Sequence, residues 1–388
     1  MPSNAFSSFE SIRPITECTD LAGKRVLVRA GIDVPVSDDG VVLDDFRLKK
    51  TLPTLQLLRT AGARVVIIGH TSRADGTADV SLRPVCTLLN SYMPVAWAGG
   101  VVGDAITAQV DALKDGDMLM LENLRFEKGE KENDLAFAKV LASYGDIYVN
   151  DSFSVSHREH ASIVGVPALL PSYAGELFMQ ELQHLVLAQS PKSPSLFVLG
   201  GAKFETKLPL VERLLPFYDH IFIGGALANN FFKAQGHVVG TSLVSDIDIS
   251  TSSVFTSPKL LLPIDVTVGS AHGPLVKKLS EVTSEDSIRD AGPETIEMLR
   301  EVMGTVETLL WNGPLGDYEH GFGASTKRFA EVVAEAKGIS IVGGGDTVAS
   351  IQDASITDRF TFLSTAGGAM LAFLEVGTLP GIEALKRE

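Results

Sequence analysis

Thr308-Leu309-Leu310-Trp311-Asn312-Gly313-Pro314-Leu315-Gly316 and, further on, Gly343-Gly344-Gly345-Asp346-Thr347 are the two stretches whose reading decides the fold. An apolar run that closes on Asn-Gly-Pro reads as a strand ending in an open turn. The second apolar run ends in glycines and in an Asp/Thr pair suited to start a helix. Glycines there let backbone N–H groups approach an anion closely, and a helix N-terminus adds a favourable dipole. An Asp at that edge is a hard oxygen ligand suited to the magnesium that accompanies nucleotide phosphates. Either turn alone is an ordinary strand–helix connection. Two of them in register, both at strand ends, favour a phosphate site.

Outward from these turns, short Val- and Ile-rich runs alternate with helical-period segments almost from end to end. Strands are expected at 25–29, 64–69, 95–98, 118–121 and 147–150, with helices at 45–60, 105–113 and 135–144 between them. After a break the pattern restarts with strands at 196–200, 221–224, 259–268, 308–311, 339–343 and 361–364. Helices are expected there at 208–217, 227–235, 293–302, 325–336 and 347–354. Such alternation means parallel sheets with helices on both faces and right-handed crossovers. The break lies between Pro167 and Pro194, where 174–189 has helical period and reads as a linking helix. The fold class is therefore α/β, two doubly wound parallel-sheet (Rossmann-like) domains joined by a linking helix, with ligands beyond the carboxyl ends of the strands.

The chain has 388 residues, room for two domains, and 45% hydrophobic with 21% charged residues gives each a sizeable core. A formal charge of -15 argues against nucleic acid, which would be approached against long-range repulsion. Small anions are not excluded, because a local cluster of arginines overrules the net field at short range. Cys18 and Cys86 form no CxxC pair, so neither a disulfide framework nor a zinc site is expected. No signal peptide and no membrane-length apolar run stands in the sequence, and a cytoplasmic protein is the expectation.

The first half carries isolated basic residues at strand ends: Arg47, His70, Arg73, Arg125, His157 and Arg158. A lone arginine in such a place is usually solvated surface. Three strands of one sheet delivering Arg or His at one edge make a pocket for a phosphate or a carboxylate. The second half is richer in glycine pairs, and Gly200-Gly201-Ala202-Lys203-Phe204-Glu205-Thr206-Lys207 follows an expected strand. Two lysines four apart at a helix start are like charges side by side, a penalty that an anion between them removes. The spacing is not that of a Walker A loop. Glu319 is a candidate acceptor for ribose hydroxyls.

Together these motifs resemble the phosphoglycerate kinase family over essentially the whole chain. The resemblance rests on Lys24–Arg29, Asp45-Phe46-Arg47-Leu48, Leu121–Phe126, His157–Ser162, Gly200–Lys207, Trp311–Gly316 and Gly343–Thr347 in the family's order, with the ending Leu379–Leu385. It implies a two-domain hinge enzyme interconverting 1,3-bisphosphoglycerate plus ADP with 3-phosphoglycerate plus ATP, using Mg2+. It implies a phosphoglycerate domain at 1–173, to which 374–388 returns, and a nucleotide domain at 174–373. By similarity Arg47 bridges the transferring phosphoryl group and the substrate carboxyl. Asp33, His70, Arg73, Arg125, His157 and Arg158 complete the phosphoglycerate site. Lys203 and Lys207 meet the nucleotide phosphates and the migrating group, and Gly344 and Gly367 lie beside that group. Gly201, Ala202, Gly224, Gly225, Asn312, Pro314, Glu319, Gly343, Gly345 and Thr347 line the nucleotide cleft, and Asp346 holds the metal. Small-molecule substrates and a monomer are expected.

The chain departs from the family where Ala30-Gly31-Ile32-Asp33-Val34-Pro35 stands for the usual Val-Asp-Phe-Asn-Val-Pro. Gly31 removes an acceptor, and Asp33 puts an acid where a neutral amide is usual. Thr71-Ser72 and Ala366 are further departures. The alternatives are a kinase of the same fold acting on another small carboxylate, and a nucleotide-binding paralogue without catalysis. A dehydrogenase ranks below both, since the GxGxxG turn is missing from the first strand–helix unit.

Overall fold

Arg25–Ala30 is buried from its second residue onward, as a central strand covered on both faces must be. In the computed structural model, which describes residues 9–73, 76–247, 249–250, 252–270 and 273–386, this run is β1. With β2 (Arg64–Ile68), β3 (Ala96–Trp97), β4 (Met118–Met120), β5 (Ile147–Asp151) and β6 (Ser172–Ala174) it forms one sheet. The order is β3-β4-β2-β1-β5-β6, parallel throughout, with Arg25 beside Arg64 and Val26 beside Ile147. This sheet belongs to a compact unit of residues 9–183 and 376–386. The terminal segment joins it through Gly381 N–H, which donates to Ser156 O at 2.8 Å, and through the fully buried Ile382.

The second compact unit, His184–Glu375, repeats the plan. β7 (Ser195–Leu199), β8 (His220–Ile223), β9 (Leu260–Leu261), β13 (Thr308–Asn312), β14 (Ile339–Gly343) and β15 (Phe362–Leu363) lie parallel in the order β15-β14-β13-β7-β8-β9. Trp311 is fully buried and meets Phe329 edge-on at 4.8 Å. The helix Glu176–Gln189 links the units, beginning two residues later than the period indicated because 172–174 extends the first sheet. Among the described residues no helix is long and apolar enough to cross a membrane.

Several elements correct the sequence reading. The single strand expected at 259–268 is divided at Pro263, which has no N–H to continue a ladder. Its second part, β10 (Asp265–Ser270), turns into a separate antiparallel sheet with β11 (Gly273–Lys278) and β12 (Ser287–Ala291). The helix expected at 208–217 runs over Phe204–Leu214, starting straight from the glycine–lysine turn, with Pro209 inside it rather than opening it. Helices Arg83–Tyr92 and Gly368–Val376 complete the covering layers and were not expected from the pattern.

Candidate functional site

In the first unit the candidate residues follow the carboxyl ends of neighbouring strands. His70 comes after β2, Arg125 after β4, and His157 and Arg158 after β5. Arg47 lies in the first turn of the helix Phe46–Thr60. Its Nη1 donates to Asp33 O at 3.0 Å and to Asp33 Oδ2 at 2.6 Å, and Asp33 Oδ1 accepts from Ser154 Oγ at 3.1 Å. Arg125 Nη1 stands 3.3 Å from Asp79 Oδ1, which Lys131 also engages through Oδ2 at 2.6 Å. The exposed Arg73 pairs with Asp38 at 3.1 Å. Each of these three arginines thus already has an aspartate counter-ion, and the sequence reading named only Asp33 among them.

Two buried residues position this set and were missed as well. Asn123 donates from Nδ2 to Thr71 O and Val80 O, at 2.7 and 2.6 Å, and its Oδ1 accepts from Arg125 N–H. It ties the loops after β2 and β4 together. Arg29, only 1% exposed, places Nη2 at 2.7 Å from His70 Nδ1. Arginine only donates, so Nδ1 is the acceptor and the neutral imidazole carries its proton on Nε2. Burial, then the Arg29 and Arg125 cations, push His70 well below the usual histidine range. Arg29 Nε continues to Ser162 Oγ, which donates to the fully buried Glu130 at 2.6 Å. His157 is also lowered, first by burial and then by Arg158, with a hydrogen bond to the Ser154 backbone opposing. Gly31 leaves little room for a side chain, because a Cβ there would lie 3.3 Å from Asp151 O.

In the second unit the glycine turns pack on one another. A Cβ on Gly200 would fall 2.0 Å from Pro314 O, so the turns after β7 and β13 approach as closely as backbones allow. Gly200 N–H donates to Asn312 O, Gly201 N–H to Pro314 O, Gly224 N–H to Leu199 O and Gly225 N–H to Leu315 O. Asn312 is buried with Nδ2 toward Met370 Sδ at 3.7 Å, and Gly343 packs against the same sulfur. These residues build the cradle. Gly344, at φ 103°, opens the helix Gly345–Asp353, and a Cβ on Gly345 would meet nothing within 4 Å. Beside that helix start, Thr347 Oγ1 is buried with no hydrogen-bond partner among the described residues. Gly367, at φ 54°, precedes a second open helix end at Gly368.

Lys207 Nζ donates to Gly200 O at 2.6 Å. Burial, then the neighbouring Lys203 cation, push it down to about 8, with Asp346 opposing. Lys203 and Ala202 are exposed just before the helix Phe204–Leu214. Asp346 is raised, first by burial and then by the carboxylate of Glu319, an exposed residue of the turn Tyr318–His320. A half-buried carboxylate held up by a second one fits a divalent cation, which would neutralise both.

The Lys207 shift has two opposite consequences. Its folded value lies below the ordinary 10.5, so the unfolded chain binds more protons between about pH 8 and about pH 10.5, and this group makes stability rise with pH there. In the folded protein the cation that attracts phosphate is lost as pH rises through about 8. Affinity for MgADP is therefore expected to fall severalfold from about pH 7 to about pH 9. Lys207→Met, which keeps the apolar stem, is expected to flatten that profile in calorimetry; an equal slope in the variant would remove Lys207 from phosphate contact.

Residues 15–377 match the family described as phosphoglycerate kinase. A phosphoglycerate kinase of Caulobacter vibrioides is 44% identical over 95% of this chain and 98% of its own length. That of Clavibacter michiganensis is 42% identical over 97% and 99%. Among solved structures, phosphoglycerate kinase from Coxiella burnetii superposes with a TM-score of 0.82 at 36% identity, covering 96% of this chain and 98% of that one. The enzyme from Pyrococcus horikoshii does so with a TM-score of 0.86 at 29% identity and the same coverage.

Proposed function

The chain belongs to the phosphoglycerate kinase family and is a phosphotransferase; from that premise we propose how its own residues divide the reaction. The unit of residues 9–183 and 376–386 holds the phosphoglycerate, and the unit His184–Glu375 holds ADP or ATP. The observation that carries this reading is the open helix end at Gly345. There the exposed Gly345 opens the helix beside Asp346, whose charge acts on that of Lys207, and such a helix N-terminus suits a phosphate chain.

The carboxylate oxygen of 3-phosphoglycerate is already ionised, so attack on the γ-phosphorus of ATP needs no general base. What remains is alignment and neutralisation of charge spread over the transferring oxygens. Arg47 meets the migrating group and the substrate carboxyl; His70, as a neutral Nε2–H donor, serves the phosphate with Arg73, Arg125, His157 and Arg158. Lys203 and Lys207 follow the nucleotide phosphates, with the Gly344 and Gly367 turns beside the group in transit. Asp346 would hold Mg2+, which when bound supplies neutralisation of the phosphate oxygens. The exposed Glu319 faces the ribose. Ala202, Gly224 and Gly225 border the nucleotide, while Asn312, Pro314 and Gly343 shape its cradle from behind. The net charge of -15 supports small-molecule substrates over nucleic acid, and the reading includes a cytoplasmic monomer.

The test is a coupled assay with MgATP and 3-phosphoglycerate, following bisphosphoglycerate formation through its reduction downstream. Sustained turnover is expected. Its absence, with MgADP binding intact, would move the reading to another small carboxylate as acceptor.

A further inference from the structure

Asp33 is tied at both carboxylate oxygens. Oδ2 accepts from Arg47 Nη1 at 2.6 Å and Oδ1 from Ser154 Oγ at 3.1 Å. Among the described residues Arg47 reaches Asp33 through Nη1, which also donates to Asp33 O at 3.0 Å. The pair is not sealed off, with side chains 31% and 19% exposed. Ser154 comes from the turn Phe153–Val155, 121 residues away in sequence, between β5 and the His157-Arg158 pair. Its neighbours serve the loop itself, Ser156 donating to Ser152 O and accepting from Asn150 Nδ2. Of these serines, Ser154 is the one aimed at the ion pair.

A carboxylate beside an arginine gains most by turning both oxygens onto the guanidinium fork. In that arrangement a second guanidinium nitrogen of Arg47, besides Nη1, is spent internally, and an incoming phosphoryl or carboxylate group must displace it. Holding Oδ1 on a hydroxyl prevents this rotation and leaves the rest of the guanidinium to a ligand. We propose that Ser154 is a positioning residue, which keeps Asp33 single-pointed on Arg47 and so keeps the arginine available to the transferring group. The proposal rests on the role given to Arg47 above.

It is tested by a cycle of Ser154→Ala, Asp33→Asn and the double variant, with Ser154→Thr as the conservative variant. Ser154→Ala is expected to lower kcat about fivefold or more, leaving the KM for MgATP unchanged. Ser154→Thr, which keeps the hydroxyl, recovers most of that loss. In the Asp33→Asn background Ser154→Ala costs little, because an amide cannot form the doubled ion pair. An unchanged kcat in Ser154→Ala overturns the proposal, as does an equal loss in both backgrounds. Affinity for inorganic phosphate, read by calorimetry, needs no turnover and is expected to weaken in Ser154→Ala by a similar factor; equal affinities overturn the proposal by themselves. Failure of the wild-type protein to turn over 3-phosphoglycerate sinks the substrate assignment instead, and the phosphate measurement still decides the role of Ser154.

Discussion

Arg47→Ala is expected to lower kcat by about a thousandfold or more while MgADP affinity changes less than about threefold. The expected loss is large because phosphoryl transfer leaves the protein little to do except neutralise charge on the moving group, and a guanidinium is the planar, permanently charged donor for that task. Arg47 belongs to the unit of residues 9–183 and 376–386 and the glycine cradle to His184–Glu375, so nucleotide binding is expected to persist. The variant also strips Asp33 of its cation, since Nη1 is the donor that holds Oδ2 at 2.6 Å. An unpaired carboxylate then faces an anionic substrate, so the KM for 3-phosphoglycerate rises too. Adding Asp33→Asn to Arg47→Ala should recover that rise but not the lost kcat. Steady-state kinetics against both substrates separate the two effects. A kcat within about threefold of wild type would remove Arg47 from the reaction.

The reach and the limit of sequence reading both follow from how far apart the interacting residues lie. The parallel strands were legible because a strand buried on both faces must be a continuous apolar run, as Val26–Val28 and Leu309–Trp311 are. The Gly343–Thr347 turn was legible because its strand end, glycines and helix start are consecutive residues. The antiparallel sheet was hidden because β10 continues the apolar run of β9 past a single proline. The counter-ions were hidden for a different reason. Asp38 and Asp79 are ordinary acids in loops, and only the fold brings them to Arg73 and Arg125. Asn123 and Arg29 act by reaching across separate loops and strands, which leaves no periodic or local trace. Asn312 and Pro314 show the converse. Their motif marks the turn proposed for the nucleotide, yet their contacts are with Met370 and Gly201, which shape the turn from behind.

Gly345→Asp is expected to weaken ADP binding by about a hundredfold or more while leaving the fold as stable as before or slightly more so. The position allows this separation of binding from stability. Among the described residues a Cβ on Gly345 meets no atom within 4 Å beyond its chain neighbours and its own helix backbone, so the side chain enters open space at the start of the helix Gly345–Asp353. An acid in a first helical turn interacts favourably with the helix dipole, by about 0.3–1 kcal/mol. The same carboxylate then occupies the ground proposed for a phosphate. Two like charges about 4 Å apart at an effective dielectric near 20 repel by about 4 kcal/mol, ample for the expected loss. Gly345→Asn, nearly the same in shape but neutral, should lose much less, which distinguishes charge from bulk. Magnesium gives a second check. A further carboxylate beside Asp346 and Glu319 adds to the attraction for a divalent cation, so free ADP should suffer more than MgADP. Calorimetry of both nucleotide forms, with thermal unfolding of each variant, reads all of these terms. If the charged and neutral variants bound ADP equally, the open helix end would not be where the phosphates sit.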